Sequence, residues 1–167
     1  MANKPVKPNR GYKGTTADVV MTQHESAKWI VDYFSPTGSI LEPCKGSGIF
    51  YDLFKEPKDW CEIDQGRDFF EYTDRVDWII TNPPYSIFDL FLEKCLEVAD
   101  NVVLFVPLTK VFKSVKIDRM ISNYGGIKEI VHMGSGGRHG FPFGFPTGCI
   151  HYQRGYKGPI KYTQNYE

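Results

Sequence analysis

The sequence predicts an α/β fold with a mostly parallel sheet. Short apolar segments alternate with segments of helical periodicity, which is the order that a parallel sheet with crossover helices requires. Residues 102–106 are apolar throughout, as is typical of a strand that is covered on both faces, and residues 76–80 are apolar apart from Asp77. Two later segments, at 127–133 and 148–153, predict an antiparallel pair at the end of the sheet.

The first helix is predicted just before the first strand. Thr22-Gln23-His24-Glu25 matches a capping box, in which the threonine side chain caps the helix and the glutamate reaches back. Apolar residues follow at helical spacing and predict a helix that ends near Phe34.

A glycine-rich turn follows the first strand, with the sequence Glu42-Pro43-Cys44-Lys45-Gly46-Ser47-Gly48. Gly46 and Gly48 permit positive φ and a close backbone approach, and a helix predicted over 49–54 would present free N–H groups at its start. The turn fits neither the dinucleotide loop nor the triphosphate loop. The acid Glu42 instead favours a ligand that carries a positively charged amino group.

A second strand is predicted over 59–64, and it ends in acids. A carboxylate such as Glu62 at the tip of the second strand suits both hydroxyls of a ribose, although a solvent-facing acid at a strand end is about as common. Asp68-Phe69 follows too soon for a crossover helix and a further strand. We therefore expect the sheet to be trimmed where a third strand would lie.

The strand at 76–80 leads directly into Asn82-Pro83-Pro84-Tyr85. Two prolines cannot donate to a sheet and disfavour helix, so the chain must leave the strand extended and stiff. Asn82 and the Pro83 carbonyl offer acceptors beside the flat ring of Tyr85. This combination suits a planar ring with an exocyclic amine, although an isolated Asn-Pro is also an ordinary turn signal.

Helices are predicted over 86–99, with Ser86 as the cap and a buried apolar stripe, and over 109–123, with exposed lysines. The loop at 134–147 carries three phenylalanines among glycines. Because glycines provide no packing partners, we expect an exposed aromatic binding surface there. We interpret His139 as a surface residue of this loop.

Length and composition limit the class of protein. The 167 residues predict one domain over 17–167, after a flexible basic arm at 1–16 that carries four cations and no acid. No apolar run is long enough for a membrane span, and the start lacks a secretory signal, so we expect a cytoplasmic protein. The four widely spaced cysteines suggest neither a metal site nor disulfides.

The balanced net charge conceals an acidic middle, with seventeen acids against seven cations in residues 17–101, between two basic ends. Basic ends would suit a polyanionic substrate, and ordinary solvated faces explain the same charges nearly as well.

The chain resembles the S-adenosylmethionine-dependent DNA adenine-N6 methyltransferases, in a compact form without a target-recognition domain. The resemblance rests on four motifs in their order along the chain: Glu42-Pro43-x-x-Gly46-x-Gly48, Glu62, Asp68-Phe69 and Asn82-Pro83-Pro84-Tyr85. The resemblance implies a Rossmann-like class I methyltransferase fold. It also implies S-adenosylmethionine as the cofactor and DNA as the partner.

The resemblance further implies a role for each matching position. The cofactor would be held by Thr22, Glu42, Pro43, Gly46, Gly48, Glu62, Asp68 and Phe69. Asn82, Pro83, Pro84 and Tyr85 would grip and stack the target adenine, once it has been flipped out of the duplex. Phe141, Phe145 and Arg138 would support the substrate, with Phe141 favoured for the opposite face of the base.

Three alternatives stay open from the sequence. The acceptor could be an RNA adenine or a protein glutamine, because the same corner can hold any planar amine. The chain could also be a non-catalytic cofactor-binding subunit. A second copy or a separate partner could supply sequence specificity, and we expect no metal and no membrane.

Overall fold

The computed structural model describes residues 20–166. The predicted arm at 1–16 lies outside this range. Three helices are found in the described part of the chain: α1 (His24–Phe34), α2 (Phe88–Val98) and α3 (Val115–Tyr124). Its strands are β1 (Ile40–Glu42), β2 (Lys58–Trp60), β3 (Val76–Thr81), β4 (Ala99–Pro107), β5 (Gly125–Ser135), β6 (Pro146–Arg154) and β7 (Lys161–Gln164).

All seven strands form one sheet in the order β2-β1-β3-β4-β6-β5-β7. The four strands β2, β1, β3 and β4 are mutually parallel, β6 runs antiparallel to both β4 and β5, and β7 is parallel to β5. The predicted mostly parallel sheet with an antiparallel pair is confirmed. So is its trimmed side, because the sheet ends at the three-residue strand β2.

Both faces of the sheet are buried at its central strands, as the apolar strands predict. Alternate residues of β4 point to opposite faces, so Val102 and Leu104 join the core under α2 and α3, while Val103 and Phe105 join the core that includes α1. With a helix layer on each side, the carboxyl ends of β1 and β3 meet at one edge of the sheet.

β4 extends beyond β3 at that edge. Thr81 is opposite Leu104, and β4 continues to pair with β6 as far as Pro107 opposite Thr147. At about 3.3 Å per residue, the paired ends of β4 and β6 project roughly 10 Å beyond the end of β3 and form a wall beside Asn82. The loops at 108–114 and 136–145 both leave the sheet from this wall.

Several predicted elements have different bounds. Gln23, not Thr22, lies at the N-cap of α1 and makes no side-chain cap bond, so the predicted capping box is wrong. The helix predicted over 49–54 is only the 3-10 turn Tyr51–Leu53, and α2 begins after Ile87 without a Ser86 cap. The helix predicted from 109 begins at Val115, where Ser114 caps it.

The strand β7 was not predicted. Its four residues alternate too briefly to stand out from a polar tail, and its pairing partner β5 lies about thirty residues earlier. None of the helices within residues 20–166 has the length and apolar character needed to cross a bilayer.

Candidate active site

The Asn82-Pro83-Pro84-Tyr85 corner lies at the carboxyl end of β3, where the sequence predicts it. Thr81 and Pro83 are buried, while Asn82 and Tyr85 are half-buried. The chain leaves Pro84 in an extended conformation and enters the 3-10 turn Tyr85–Ile87. The two prolines thus hold Asn82 at a fixed place on the sheet edge.

Every polar atom of the Asn82 side chain has a partner. Its Nδ2 donates to the Val20 carbonyl at 3.2 Å and to Thr22 Oγ1 at 3.1 Å. Its Oδ1 accepts from the Tyr85 hydroxyl at 2.8 Å. The amide is therefore held from both ends, with its oxygen on the side of the tyrosine.

Glu42 ends β1 with its carboxylate buried beside the corner. Thr81 Oγ1 donates to Glu42 Oε1, and the Cys44 backbone N–H donates to the same oxygen at 3.3 Å. Burial raises the pKa of Glu42 to about 8, even though these hydrogen bonds favour the charged form. The site thus holds a carboxylic acid that can become an anion when a cationic ligand arrives.

Cys44 connects the glycine-rich turn to the corner. Its Sγ lies 3.0 Å from Thr81 Oγ1 and 3.3 Å from the Asn82 carbonyl oxygen. Burial raises the pKa of the Cys44 thiol well above its ordinary value, so it stays a neutral thiol. Neither Cys44 nor Thr81 was singled out in the sequence, and no local signal predicts these long-range contacts.

Gly46 and Glu62 come together, as the predicted ligand site requires. Glu62 Oε2 accepts from the Gly46 N–H at 2.6 Å, which ties the loop after β1 to the loop after β2. Gly46 and Gly48 adopt positive φ values of 52° and 92°. No atom lies within 4 Å of where a Cβ on Gly46 would be, so this glycine leaves open space at the site.

One cavity joins the corner to the glycine-rich turn. Its lining includes Thr22, Glu42, Gly46 and Asn82. These are four of the residues that the sequence predicts for cofactor or acceptor binding, drawn from three separate segments. The buried acid in this lining is a suitable partner for a cationic ligand, so the residues present fit the amino group of S-adenosylmethionine.

The remaining predicted cofactor residues lie outside this cavity lining. Asp68 uses its Oδ1 to accept from the Phe70 N–H at 2.9 Å, at the start of a 3-10 turn. Phe69 is 4% exposed and packs on Phe91 with ring centroids 5.0 Å apart. Phe69 is therefore part of the core and offers no exposed face for an adenine ring.

Ile63 is a residue that the sequence reasoning missed. It follows Glu62 directly, and its side chain is 55% exposed beside the loop that carries the acid. An apolar residue immediately after the acid at a strand end was the available signal. It presents the apolar surface that Phe69 does not.

The phenylalanine loop is only partly exposed, which corrects the prediction. Phe141 is 4% exposed, Phe143 is half-buried and Phe145 is 58% exposed. Phe141 is buried because it packs against Phe105, at 5.1 Å between ring centroids, and lies nearly parallel to Tyr85 at 6.2 Å. The three side chains form a graded series from the core to solvent.

Two other residues of this loop serve structural contacts. Arg138 Nη1 donates to the Tyr166 carbonyl, so this arginine holds the end of the chain. His139 Nδ1 lies 2.8 Å from Ser26 Oγ, and its Nε2 lies 2.7 Å from the Met133 carbonyl. Because that carbonyl can only accept, Nε2 carries a proton and donates to it. His139 thus links the loop to α1 and is only half exposed.

The sequence matches no known family model and no curated protein. Solved structures, however, are similar. A protein assigned as a modification subunit of a type I restriction enzyme from Vibrio vulnificus gives a TM-score of 0.64 at 17% identity, over 89% of this chain and 47% of that chain. A protein assigned to the class I S-adenosylmethionine-dependent methyltransferases, from Listeria monocytogenes, gives 0.64 at 13% identity, over 92% and 68%.

The chain has the class I methyltransferase fold. A protein assigned as an RNA methyltransferase from Pyrococcus horikoshii has a TM-score of 0.55 at 14% identity, over 78% of this chain and 82% of that chain. This chain spans about half the length of the type I subunit from Vibrio vulnificus. Residues 20–166 of this chain contain no group of three or more His, Cys, Asp or Glu side chains that could hold a metal ion.

Proposed function

We propose that the chain is an S-adenosylmethionine-dependent methyltransferase that acts on the exocyclic N6 amine of adenine in DNA. The observation that carries this proposal is the cavity shared by Asn82, Glu42 and Gly46 at the carboxyl end of β1 and β3. A cofactor loop and an amine-gripping corner share this space, as transfer between two bound molecules requires.

On the cofactor side, Glu42 would pair with the amino group, while Gly46 and Gly48 would allow the close approach of the backbone. Thr22 and Pro43 would complete the methionine end. Glu62 would bind the ribose hydroxyls and Asp68 the adenine amine. Both carboxylates accept from backbone N–H groups and keep further lone pairs for a ligand. When bound, the cofactor would supply an electrophilic methyl group on a sulfonium.

On the acceptor side, Asn82 Oδ1 and the Pro83 carbonyl would each accept one hydrogen of the amine. This grip favours a tetrahedral nitrogen whose lone pair is free to form the new N–C bond as the C–S bond breaks. The Asn82 oxygen has two lone pairs, so its bond from Tyr85 leaves one for the substrate. The amine then loses its proton to solvent, and no strong base is needed.

The aromatic side chains around the corner support a flat acceptor. Tyr85 and Phe141 lie 6.2 Å apart with 29° between their planes. A base placed between these two rings would stack on both of them, which requires the loop that carries Phe141 to move outward. In this proposal Tyr85 and Phe141 hold the flipped base, and the exposed Phe145 and Arg138 contact the substrate outside it.

DNA is preferred as the substrate because the full motif set resembles the DNA adenine-N6 enzymes, and one similar structure carries the name of a restriction-modification subunit. A separate specificity partner or a second copy would supply target recognition. The same corner suits an RNA adenine or a glutamine amide, and a cofactor-binding subunit without activity would need no acceptor at all.

Transfer of labelled methyl groups to a panel of DNA, RNA and protein acceptors tests the proposal. We expect label in DNA that contains adenine, and N6-methyladenine after digestion of the product. Label found only in RNA or only in protein glutamine would show that the acceptor is not DNA. Cofactor binding without any transfer would identify a binding subunit. The salt dependence of DNA binding would then measure the phosphate contacts.

A further inference from the structure

The structure assigns Thr22 as a positioning residue that orients the Asn82 amide for the acceptor amine, a role that rests on the proposed function. The resemblance implies only that Thr22 touches the cofactor. In the structure, its Oγ1 lies 3.1 Å from Asn82 Nδ2, and the side chain is 7% exposed. The contact spans sixty residues of sequence and joins the segment before α1 to the corner after β3.

The orientation of an asparagine amide follows from its partners. A backbone carbonyl can only accept, so the Val20 carbonyl, at 3.2 Å, must face the NH2 end of Asn82. If the amide were flipped, two acceptor oxygens would face each other, and the Tyr85 hydroxyl would lose its acceptor. The network therefore fixes Oδ1 on the side of Tyr85.

This orientation matters for the chemistry. The acceptor amine must meet an oxygen, because an NH2 group at the same place would repel its hydrogens. Val20 and Thr22 together hold both hydrogens of Nδ2 away from Tyr85. Thr22 contributes through a side chain, so its contribution can be removed by substitution.

Thr22 also lines the cavity that contains Glu42 and Gly46. One hydroxyl can accept and donate at the same time. The same side chain can therefore receive the Asn82 amide hydrogen and offer its own hydrogen to a molecule in the cavity. In this arrangement an occupied cofactor site strengthens the hold on the catalytic amide.

The test compares Thr22→Val with Thr22→Ser. Valine has the same shape without the hydroxyl, and serine keeps the hydroxyl. We expect Thr22→Val to lower kcat for methyl transfer about tenfold at saturating S-adenosylmethionine, the loss of one orienting hydrogen bond, and also to raise the Kd for the cofactor, because the same hydroxyl would donate to it. Thr22→Ser should keep kcat within about threefold of the starting protein. Thr73→Val, at an exposed loop position outside the site, is the matched control.

A second measurement does not depend on activity. The Asn82 side-chain amide can be observed by NMR and identified through its loss in Asn82→Ala. We expect its hydrogens to exchange slowly with water in the starting protein and in Thr22→Ser, and faster in Thr22→Val. Unchanged exchange in Thr22→Val would overturn the inference, whether or not transfer is detected.

The two failures are distinguishable. If the starting protein transfers no methyl group, the proposed function is contradicted. The positioning role is kept if Thr22→Val still accelerates hydrogen exchange of the Asn82 side-chain amide. An active protein in which Thr22→Val raises the Kd for the cofactor and leaves kcat unchanged makes Thr22 a cofactor contact and rejects its positioning role.

Discussion

At the scale of single residues, the site depends on two side chains that hold their polar atoms in different ways. Asn82 is fixed by neutral hydrogen bonds at both ends of its amide. Glu42 is a buried acid whose raised pKa favours the neutral form until a cationic ligand binds beside it. A fixed acceptor costs no reorganisation during a reaction. An acid with a raised pKa makes ligand binding depend on pH.

Asn82→Ala should remove methyl transfer and leave the cofactor site intact. It deletes the acceptor oxygen at the corner but none of the groups around Glu42. We expect kcat to fall by at least about 100-fold, the usual loss for one oriented polar group in an active site, with an almost unchanged Kd for S-adenosylmethionine. Asn123→Ala, on the exposed face of α3, is the matched control. Equal kcat in Asn82→Ala and the control would reject this role.

Glu42 should make folding stability depend on pH in one direction. Its pKa of about 8 in the folded chain lies above the ordinary 4.5, so the folded chain keeps a proton that the unfolded chain loses. The free energy of unfolding should therefore fall as pH rises from 4.5 to about 8, by at most roughly 5 kcal/mol. Glu42→Gln, which keeps the acceptor for Thr81, should flatten this fall. Urea unfolding at several pH values measures it, with Glu93→Gln as the exposed control. Parallel pH curves for all three proteins would contradict the prediction.

At the scale of elements, one acid of β5 links the side chains of β7 and α1, in addition to the backbone pairing between β5 and β7. Glu129 Oε1 of β5 accepts from Tyr33 of α1 and from Thr163 of β7, each at 2.6 Å, and Lys161 lies 3.0 Å from it. Burial alone would raise the pKa of Glu129, but the hydrogen bonds from Thr163, Tyr33 and Lys161 outweigh burial and lower the pKa. A single carboxylate thus connects two strands and a helix.

Glu129→Ala should loosen β7 and destabilise the fold. The hydrogen bonds from Tyr33 and Thr163 and the ion pair with the exposed Lys161 are lost, and we expect the loss of the two hydrogen bonds to lower the free energy of unfolding by about 2–3 kcal/mol. Amide hydrogen exchange in residues 161–164 should accelerate more than exchange in β4. Glu93→Ala serves as the exposed control. If exchange in β7 stays unchanged, this strand is held by its backbone ladder alone.

The sequence predicted the elements that have strong local signals. Apolar strands such as β3 and β4 and the proline corner follow from residue type and spacing. Thr22 was assigned to a cap because its spacing to Glu25 fits one, whereas tertiary contacts with Asn82 took its hydroxyl. The burial of Phe141 depends on Phe105 in another strand, which local sequence does not reveal.

At the scale of the whole molecule, the predicted mostly parallel sheet with an antiparallel pair and a trimmed side is confirmed, and the site residues are only partly assembled. Glu42, Gly46, Thr22 and Asn82 share a cavity, while Asp68 and Phe69 make other contacts. Spacing along the chain could place residues at the carboxyl edge of the sheet. It could not decide which side chains point into the same space.

Global stability should also decline on the acidic side. Burial, together with the nearby Lys128, lowers the pKa of His151 from 6.5 to about 4, and its Nε2 lies 3.0 Å from Asn101 Oδ1. The unfolded chain gains a proton first, so the free energy of unfolding should fall as pH drops from 6.5 to 4, by at most roughly 3 kcal/mol. His151→Gln should reduce this fall, measured by thermal unfolding, and the exposed His24→Gln should not. An equal acid dependence in both variants would exclude His151 as its source.

The two border strands of the sheet, β2 and β7, contain three and four residues, and each begins with a lysine. Short, charged borders offer little template for a neighbouring chain to add a strand, which is a common protection against amyloid-like growth. Backbone pairing that extends the sheet across two molecules is disfavoured.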